Sequence, residues 1–226
     1  MFSFNNKPFI AIIGDIKASK EIENRNEIQK KMNKVLEEIN KEYKNDISSK
    51  FLMTLGDEFQ GLLNNGTNIM NIIFEIERQM YPINLRFGIG IGKITTNINK
   101  EMAIGADGPG YYKAREAIEF LKSNEKKKKA VISDIWFKVE DNDQIVIVML
   151  NTILTLMKAI KDSWTNRQRE IIWDMLENQD SQVKVAERLK IQQPTVQKSF
   201  SKGKYYTYKN ALDIIKKVLK EMKNKK

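Results

Sequence analysis

The residues with the clearest capacity for chemistry are acids at the ends of apolar runs. Asp15 closes Pro8-Phe9-Ile10-Ala11-Ile12-Ile13-Gly14-Asp15-Ile16. Asp57 and Glu58 sit in Thr54-Leu55-Gly56-Asp57-Glu58-Phe59-Gln60-Gly61. Two strand-end aspartates brought together by a sheet make an oxygen-rich site for Mg²⁺ or Mn²⁺. The chain has no histidine and no cysteine, which narrows the chemistry further. Ser-His and Cys-His catalysis, imidazole proton shuttling, disulfides and His- or Cys-ligated metals are all excluded. What remains is carboxylate, lysine, arginine, tyrosine and hydroxyl chemistry, or a hard metal ion.

Holding such acids requires a sheet and helices to cover it. Residues 8–16 read as a buried strand. Residues 25–44 read as an amphipathic helix, with Ile28, Met32, Val35, Leu36, Ile39 and Tyr43 at helical spacing. The segments 49–55 and 58–63 flank Gly56-Asp57 as a hairpin. A second helix is predicted over 67–80, on Ile69, Ile72, Ile73, Ile76 and Met80. Ile83 to Gly92 alternates apolar residues with glycine, the pattern of a central strand that its neighbours approach closely. A third helix is predicted over 110–123, with Tyr112, Ala114, Ala117, Ile118 and Leu121 as its apolar positions. Further strands are predicted at Ala130–Ser133 and Gln144–Val148, separated from that helix by the lysine run Lys126–Lys129, read as a solvated loop.

The order β-α-β-β-α-β-α predicts an α+β fold. It is that of a ferredoxin-like split-βαβ sheet with helices on one face. From about Leu150 the pattern turns helical, with helices at 152–164 and Ala211–Met222. The expected organisation is an α+β unit over 1–148, a connecting helix over 149–164 and an all-α unit over 165–226. At 226 residues, 41% hydrophobic and 30% charged, the chain can bury a workable core. No apolar run approaches the ~20 residues that span a bilayer. The N-terminal residues lack the form of a signal peptide, so the expected location is cytoplasmic, with no membrane partner.

The last unit carries a second kind of signal. Thr165 caps a helix and Gln168 completes a capping box. Ser181 caps a second helix through Leu189, Lys190 to Gln193 form a turn, and Pro194 opens a third helix at a position where proline is tolerated. Ala186, Leu189, Ile191 and Val196 follow the spacing of a helix-turn-helix. In such a motif the third helix enters the major groove and its first residues face base edges. Gln192, Gln193, Thr195 and Gln197 are then candidates for base contacts, and Lys198, Lys202 and Lys204 for phosphate contacts. Tyr205, Tyr206 and Tyr208 read first as packing residues. The net charge of +10 favours a polyanionic partner, DNA above all. Heavy use of Lys, Asn and Ile along the whole chain is the competing explanation of that charge.

Several of these motifs resemble known families. The N-terminal part is similar to class III nucleotide cyclase, diguanylate cyclase (GGDEF) and polymerase-palm domains. Ile13-Gly14-Asp15-Ile16-Lys17-Ala18-Ser19 resembles their first-strand metal motif, and Leu55-Gly56-Asp57-Glu58-Phe59 their hairpin acid. Leu85 to Gly92 and Gly108 to Arg115 resemble the later strand and helix. That resemblance implies Mg²⁺ or Mn²⁺ at Asp15, Ile16 and Asp57. It also implies a nucleoside triphosphate or related nucleotide near Lys17, Ser19, Lys20, Glu58 and Arg115, and a possible homodimer. The departures lie in the catalytic and base-selecting half. Tyr112 and Glu116 stand where the motif has Asn and Arg, Met53 where it has a purine-reading Lys, and Leu55 where the diguanylate signature has its first Gly.

The C-terminal part is similar to sigma-factor region 4. Over nearly the whole chain the sequence resembles the SatD family, through Gly14-Asp15-Ile16 with Ser19, Arg25 and Gln29. Thr54 to Gly61, Gly108 with Ala114-Arg115, and Trp164-Thr165 with Arg167-Gln168 carry the same resemblance. The reading is a regulator that binds nucleotide with a divalent ion and DNA. The alternatives are an active two-metal cyclase or nucleotidyltransferase, and a protein-interaction adaptor.

Overall fold

The computed structural model describes residues 8–103, 105–127, 133–140 and 144–221. A five-stranded sheet in the order β2-β3-β1-β4-β5 forms its centre. Strand β1 (Phe9–Ile16) is antiparallel to both β3 (Glu58–Leu63) and β4 (Leu85–Gly92). Strand β2 (Ile47–Leu55) forms a hairpin with β3, and β5 (Ile135–Val139) runs parallel to β4. Because β1 is covered on both sides, almost every residue in it is buried. Ile10, Ile12 and Ile16 enter the main core, while Ala11 and Ile13 enter a smaller cluster on the opposite face.

The main core is filled by α1 (Arg25–Glu42), α2 (Ile69–Met80) and α4 (Gln144–Asp162). Helix α3 (Pro109–Lys127) lies on the other face, against β4, β1 and β5. The expectation of helices on one face is therefore corrected, and the glycine alternation of β4 supplies the reason. A Cβ at Gly88 would stand 2.4 Å from the Ala114 carbonyl oxygen, and one at Gly90 would stand 2.0 Å from that of Gly110. The bare strand surface is the seat of α3. Within that helix Tyr111 faces the sheet and Tyr112 is exposed, the reverse of the periodic reading.

Both edge strands are closed by asparagines. On β2, Phe51 exchanges two 2.8 Å hydrogen bonds with the Asn40 side chain of α1. On β5, Phe137 exchanges two 2.9 Å bonds with buried Asn151 of α4. Each amide imitates one residue of a further strand and satisfies backbone groups that an edge would leave open.

Two expectations along the chain are corrected. Gln144–Val148 is the first part of α4 and not a strand, because a short apolar run has no period that separates strand from buried helix. The expected boundary at 148/149 consequently falls inside one continuous helix packed on β5. The edge strand is Ile135–Val139, whereas Ala130–Ile132 of the strand expected at 130–133 lies outside the described residues.

Four helices follow: α5 (Asn166–Asn178), α6 (Gln182–Arg188), α7 (Gln193–Lys202) and α8 (Tyr205–Lys220). The Thr165–Gln168 capping box is present, and Ser181 caps α6 by accepting from the Lys184 amide. Helix α8 starts six residues before the expected Ala211. It packs on α2 and α4, and its C-terminal end approaches the loop before α2 so closely that a Cβ on Gly66 would stand 2.2 Å from the Leu219 carbonyl oxygen. The helical unit and the sheet thus share one continuous apolar core.

Candidate functional site

Asp15 stands at the end of β1 on the α3 side, opposite Glu58 of β3 and Arg86 of β4. It is buried, with 4% of its surface exposed. Arg86 Nε lies 3.0 Å from Asp15 Oδ2, and Lys122 Nζ of α3 lies 3.3 Å from Oδ1. The Arg86 Nε–H is not aligned to donate, so that pair is coulombic rather than a hydrogen bond. Arg115 grips buried Glu58 with two charge-assisted bonds of 2.5 and 2.6 Å. Burial pushes the Asp15 carboxyl above the ordinary carboxylate range. Lys122 and Arg86 offset only part of that rise, and the nearby Asp57 adds to it. A carboxylate in this condition is relieved by an added cation.

The hairpin turn brings Asp57 to the same place. Gly56 adopts φ +60°, the left-handed region natural to glycine, and its carbonyl accepts from the Gln29 side chain. The Asp57 carbonyl accepts from the Ile16 amide at 3.0 Å, which locks the turn to the end of β1. Ala18, at φ 49°, swings the chain into a 3₁₀ turn at Ser19–Glu21. The buried Ser19 hydroxyl then donates to the Asp57 carboxylate. Asp15, Ile16, Ser19, Lys20 and Asp57 line one open cleft of about 830 Å³, with Arg86 and Lys122 on its wall.

Of the residues expected from sequence, the metal candidates Asp15, Ile16 and Asp57 converge, together with Ser19 and Lys20. Glu58 and Arg115 hold each other at the α3 side, so both Glu58 oxygens already have partners. Lys17 leaves the cleft: its ammonium lies 2.5 Å from Glu125 and is also paired with Asp134. Arg86, Glu119 and Lys122 were not singled out in the sequence. Arg115, Glu119 and Lys122 recur at i, i+4 and i+7, one helical face of mixed charge, and that spacing was the available signal.

Two carboxylates and one hydroxyl suit an ion of the Mg²⁺ kind, which keeps waters and completes its shell with substrate phosphates. They do not make an all-protein cage. Among the described residues no three acidic side chains converge as a metal-binding group.

Behind the cleft lies a half-buried ionic cluster. Asp134, just before β5, holds Lys17 and stands 3.5 Å from Lys158 and 3.7 Å from Lys161 of α4. Lys161 in turn pairs with Glu77 of α2 at 2.8 Å. Burial raises the Asp134 carboxyl, but Lys161, Lys17 and Lys158 together hold it below the ordinary range. Arg169 of α5 donates to the Lys161 carbonyl at 3.0 Å. Its guanidinium lies within 5.3 to 5.7 Å of the rings of Tyr81, Trp164 and Trp173.

In the helical unit, Gln192, Gln193, Thr195, Gln197, Lys198, Lys202 and Lys204 are all exposed, while Val196, Ser199 and Phe200 face inward. Gln182 of α6, not anticipated, organises two of them. It donates to Gln197 at 2.6 Å and to the Tyr206 hydroxyl at 3.1 Å, and it accepts from Gln193 at 2.7 Å. Tyr205 and Tyr208 are buried packing residues, and Tyr206 is exposed.

The SatD family profile matches residues 9–215, and the chain belongs to the SatD family. No curated protein matches it significantly in sequence. No helix among the described residues is long and apolar enough to cross a membrane.

Proposed function

We propose that the protein is a cytoplasmic regulator in which a cyclase-like or palm-like domain binds a nucleotide with Mg²⁺ or Mn²⁺. A C-terminal helix-turn-helix binds DNA. The convergence of Asp15, Asp57 and Ser19 on one cleft carries the first half of this reading. The strand order β2-β3-β1-β4, antiparallel at each pairing, supports the ferredoxin-like comparison. Asp15 and Asp57 hold the ion, Ser19 orients Asp57, and Lys20 with Lys122 faces the phosphates. The ion, when bound, neutralises phosphate charge and relieves the two acids.

Binding is favoured over turnover by the two positions that depart from the cyclase motif. Tyr112 donates to Asp107 at 2.8 Å, and Glu116 accepts from Lys113 and Lys138, so both are engaged outside the cleft. The DNA half rests on the four-residue connection between α6 and α7 and on the exposed Gln/Lys face of α7.

One experiment tests both halves. Fluorescence anisotropy with labelled duplex DNA is run with and without Mg²⁺ and a nucleoside triphosphate, on the native chain and on Asp57→Asn. The reading expects salt-sensitive DNA binding whose affinity changes with nucleotide in the native chain only. Equal curves in all four conditions end the coupled reading, and salt-independent or absent DNA binding ends its second half.

A further inference from the structure

We propose that the outward face of α4 is a self-association surface, and that the partner it fits is a second copy of this chain. Helix α4 has two apolar faces. Ile147, Leu150, Leu154 and Met157 enter the core. On the other side Ile145 is 75% exposed, Val148 60%, Met149 60% and Leu156 62%, with Thr152 and Ala159 exposed between and beyond them. From Ile145 to Met157 the helix contains no charged residue, in a chain that carries a net charge of +10. A second copy of so basic a protein is repelled wherever lysines face each other. It meets least repulsion along an uncharged stripe.

The spacing of the stripe argues for a copy of itself rather than another partner. A two-fold interface requires a patch that is complementary to its own rotated image. Positions 145, 148, 152, 156 and 159 are symmetric about 152. Two α4 helices crossing antiparallel therefore bring Ile145 against Ala159 of the other copy, and Val148 with Met149 against Leu156. At the centre Thr152 meets its own counterpart. Large side chains oppose small ones at the ends, and a small residue lies where the two backbones come closest. Each large side chain offers on the order of 100 Å² of apolar surface. The stripe thus contributes roughly half of the ~800 Å² per partner of a standard specific interface, before its flanks are counted. A reversible dimer with a dissociation constant on the order of 1–100 μM is the expected result. Nothing in this inference depends on the nucleotide or DNA reading.

Sedimentation equilibrium over a concentration series tests it. The weight-average mass should rise from 26.3 kDa towards twice that value. Leu156→Glu, at an exposed position and with an unchanged melting temperature, should remain at the monomer mass over the same range. Because the chain has no cysteine, single introduced thiols report geometry directly. Under copper-catalysed oxidation Thr152→Cys should form a covalent dimer, whereas Ala159→Cys, opposite Ile145, should not. A monomer mass at every concentration would overturn the inference. So would undiminished association of Leu156→Glu, or equal cross-linking of the two cysteine variants.

Discussion

Replacing Gly90 with alanine tests whether the glycines of β4 exist to seat α3. The backbone there is ordinary extended strand, so the argument is steric alone. The added methyl would lie 2.0 Å from the Gly110 carbonyl oxygen and 2.2 Å from the Ala114 nitrogen. Both are about 1.5 Å inside the ~3.5 Å at which nonbonded atoms meet. Both belong to the α3 backbone, which has no rotamer to yield. Helix α3 must therefore lift by about 1.5 Å or β4 must distort. Overpacking of this kind costs typically 1–3 kcal/mol, and two simultaneous backbone contacts place this case at about 3 kcal/mol. For a chain of this size that corresponds to a fall of roughly 6–12 °C in the melting temperature. The same lift would stretch the Arg115–Glu58 bonds, now 2.5 and 2.6 Å, beyond hydrogen-bonding range. Gly110→Ala is the control. Its methyl would find its nearest neighbour, the Gly92 carbonyl oxygen, at 3.3 Å, a contact that a shift of a few tenths of an ångström relieves. Scanning calorimetry of both variants gives the comparison. A Gly90→Ala protein that melts within a degree of the native chain, or a Gly110→Ala protein that falls as far, would refute the reasoning.

Three further outcomes follow from the site and its surroundings. Because the folded Asp15 carboxyl titrates above its unfolded value, its ionisation costs stability as pH rises from about 4 through the folded pKa. Thermal melts from pH 4 to 7 should show this loss in the native chain and lack it in Asp15→Asn. Saturating Mg²⁺–nucleotide at ~100 times its dissociation constant should stabilise the native chain by about 2.7 kcal/mol, roughly 5–11 °C, and leave Asp15→Asn unmoved. Asp134 has the opposite sign: its folded pKa is depressed, so its contribution is complete above the unfolded value of about 4 and is lost as pH falls through the folded value. Acid unfolding followed by circular dichroism should be steep in the native chain below pH 4 and shallower in Asp134→Asn. On DNA, Lys198→Ala and Lys202→Ala should each reduce the slope of log affinity against log salt by about 1 and weaken all sequences alike. Gln193→Ala should instead narrow the difference between preferred and non-preferred sites.

Much of the acidic site was legible because its signals are local. Asp15 ends an apolar run, Gly56-Asp57 marks a turn, and a hairpin that folds back beside the first strand brings them together. Periodicity also found α1, α2, α3 and β4. The glycine alternation of β4 announced a close neighbour but not which one, because a missing Cβ records proximity without identity. The run from Gln144 to Val148 reads as strand in the sequence because a helix apolar on two faces has no single stripe for periodicity to find. Arg86 was passed over inside a motif chosen for its glycines. The Asp134 cluster had no local signature at all. Lys17, Glu77, Asp134 and Lys161 come from four distant segments, and only the folded core makes them neighbours.

That cluster bears on how the proposed ligand site and the helical unit can influence each other. Asp15, Ile16 and Lys17 are consecutive, yet Asp15 serves the cleft while the Lys17 ammonium is held by Glu125 and Asp134. Asp134 in turn pairs with Lys158 and Lys161 near the C-terminal end of α4, and the Lys161 carbonyl accepts from Arg169 of α5. A ligand that drew Asp15 and Asp57 together would move the end of β1, and Lys17 with it. The apolar core responds weakly to such a shift, since its contacts are many, short-ranged and without direction. Half-buried ion pairs respond more, because each loses compensation when its partner moves, an effect that the solvent at the cluster's open side moderates. The ionic cluster would therefore respond more than the apolar packing around it to a ligand in the cleft. Its position between β1, α2, α4 and α5 makes it a polar connection from the end of β1 to the first helix of the helical unit.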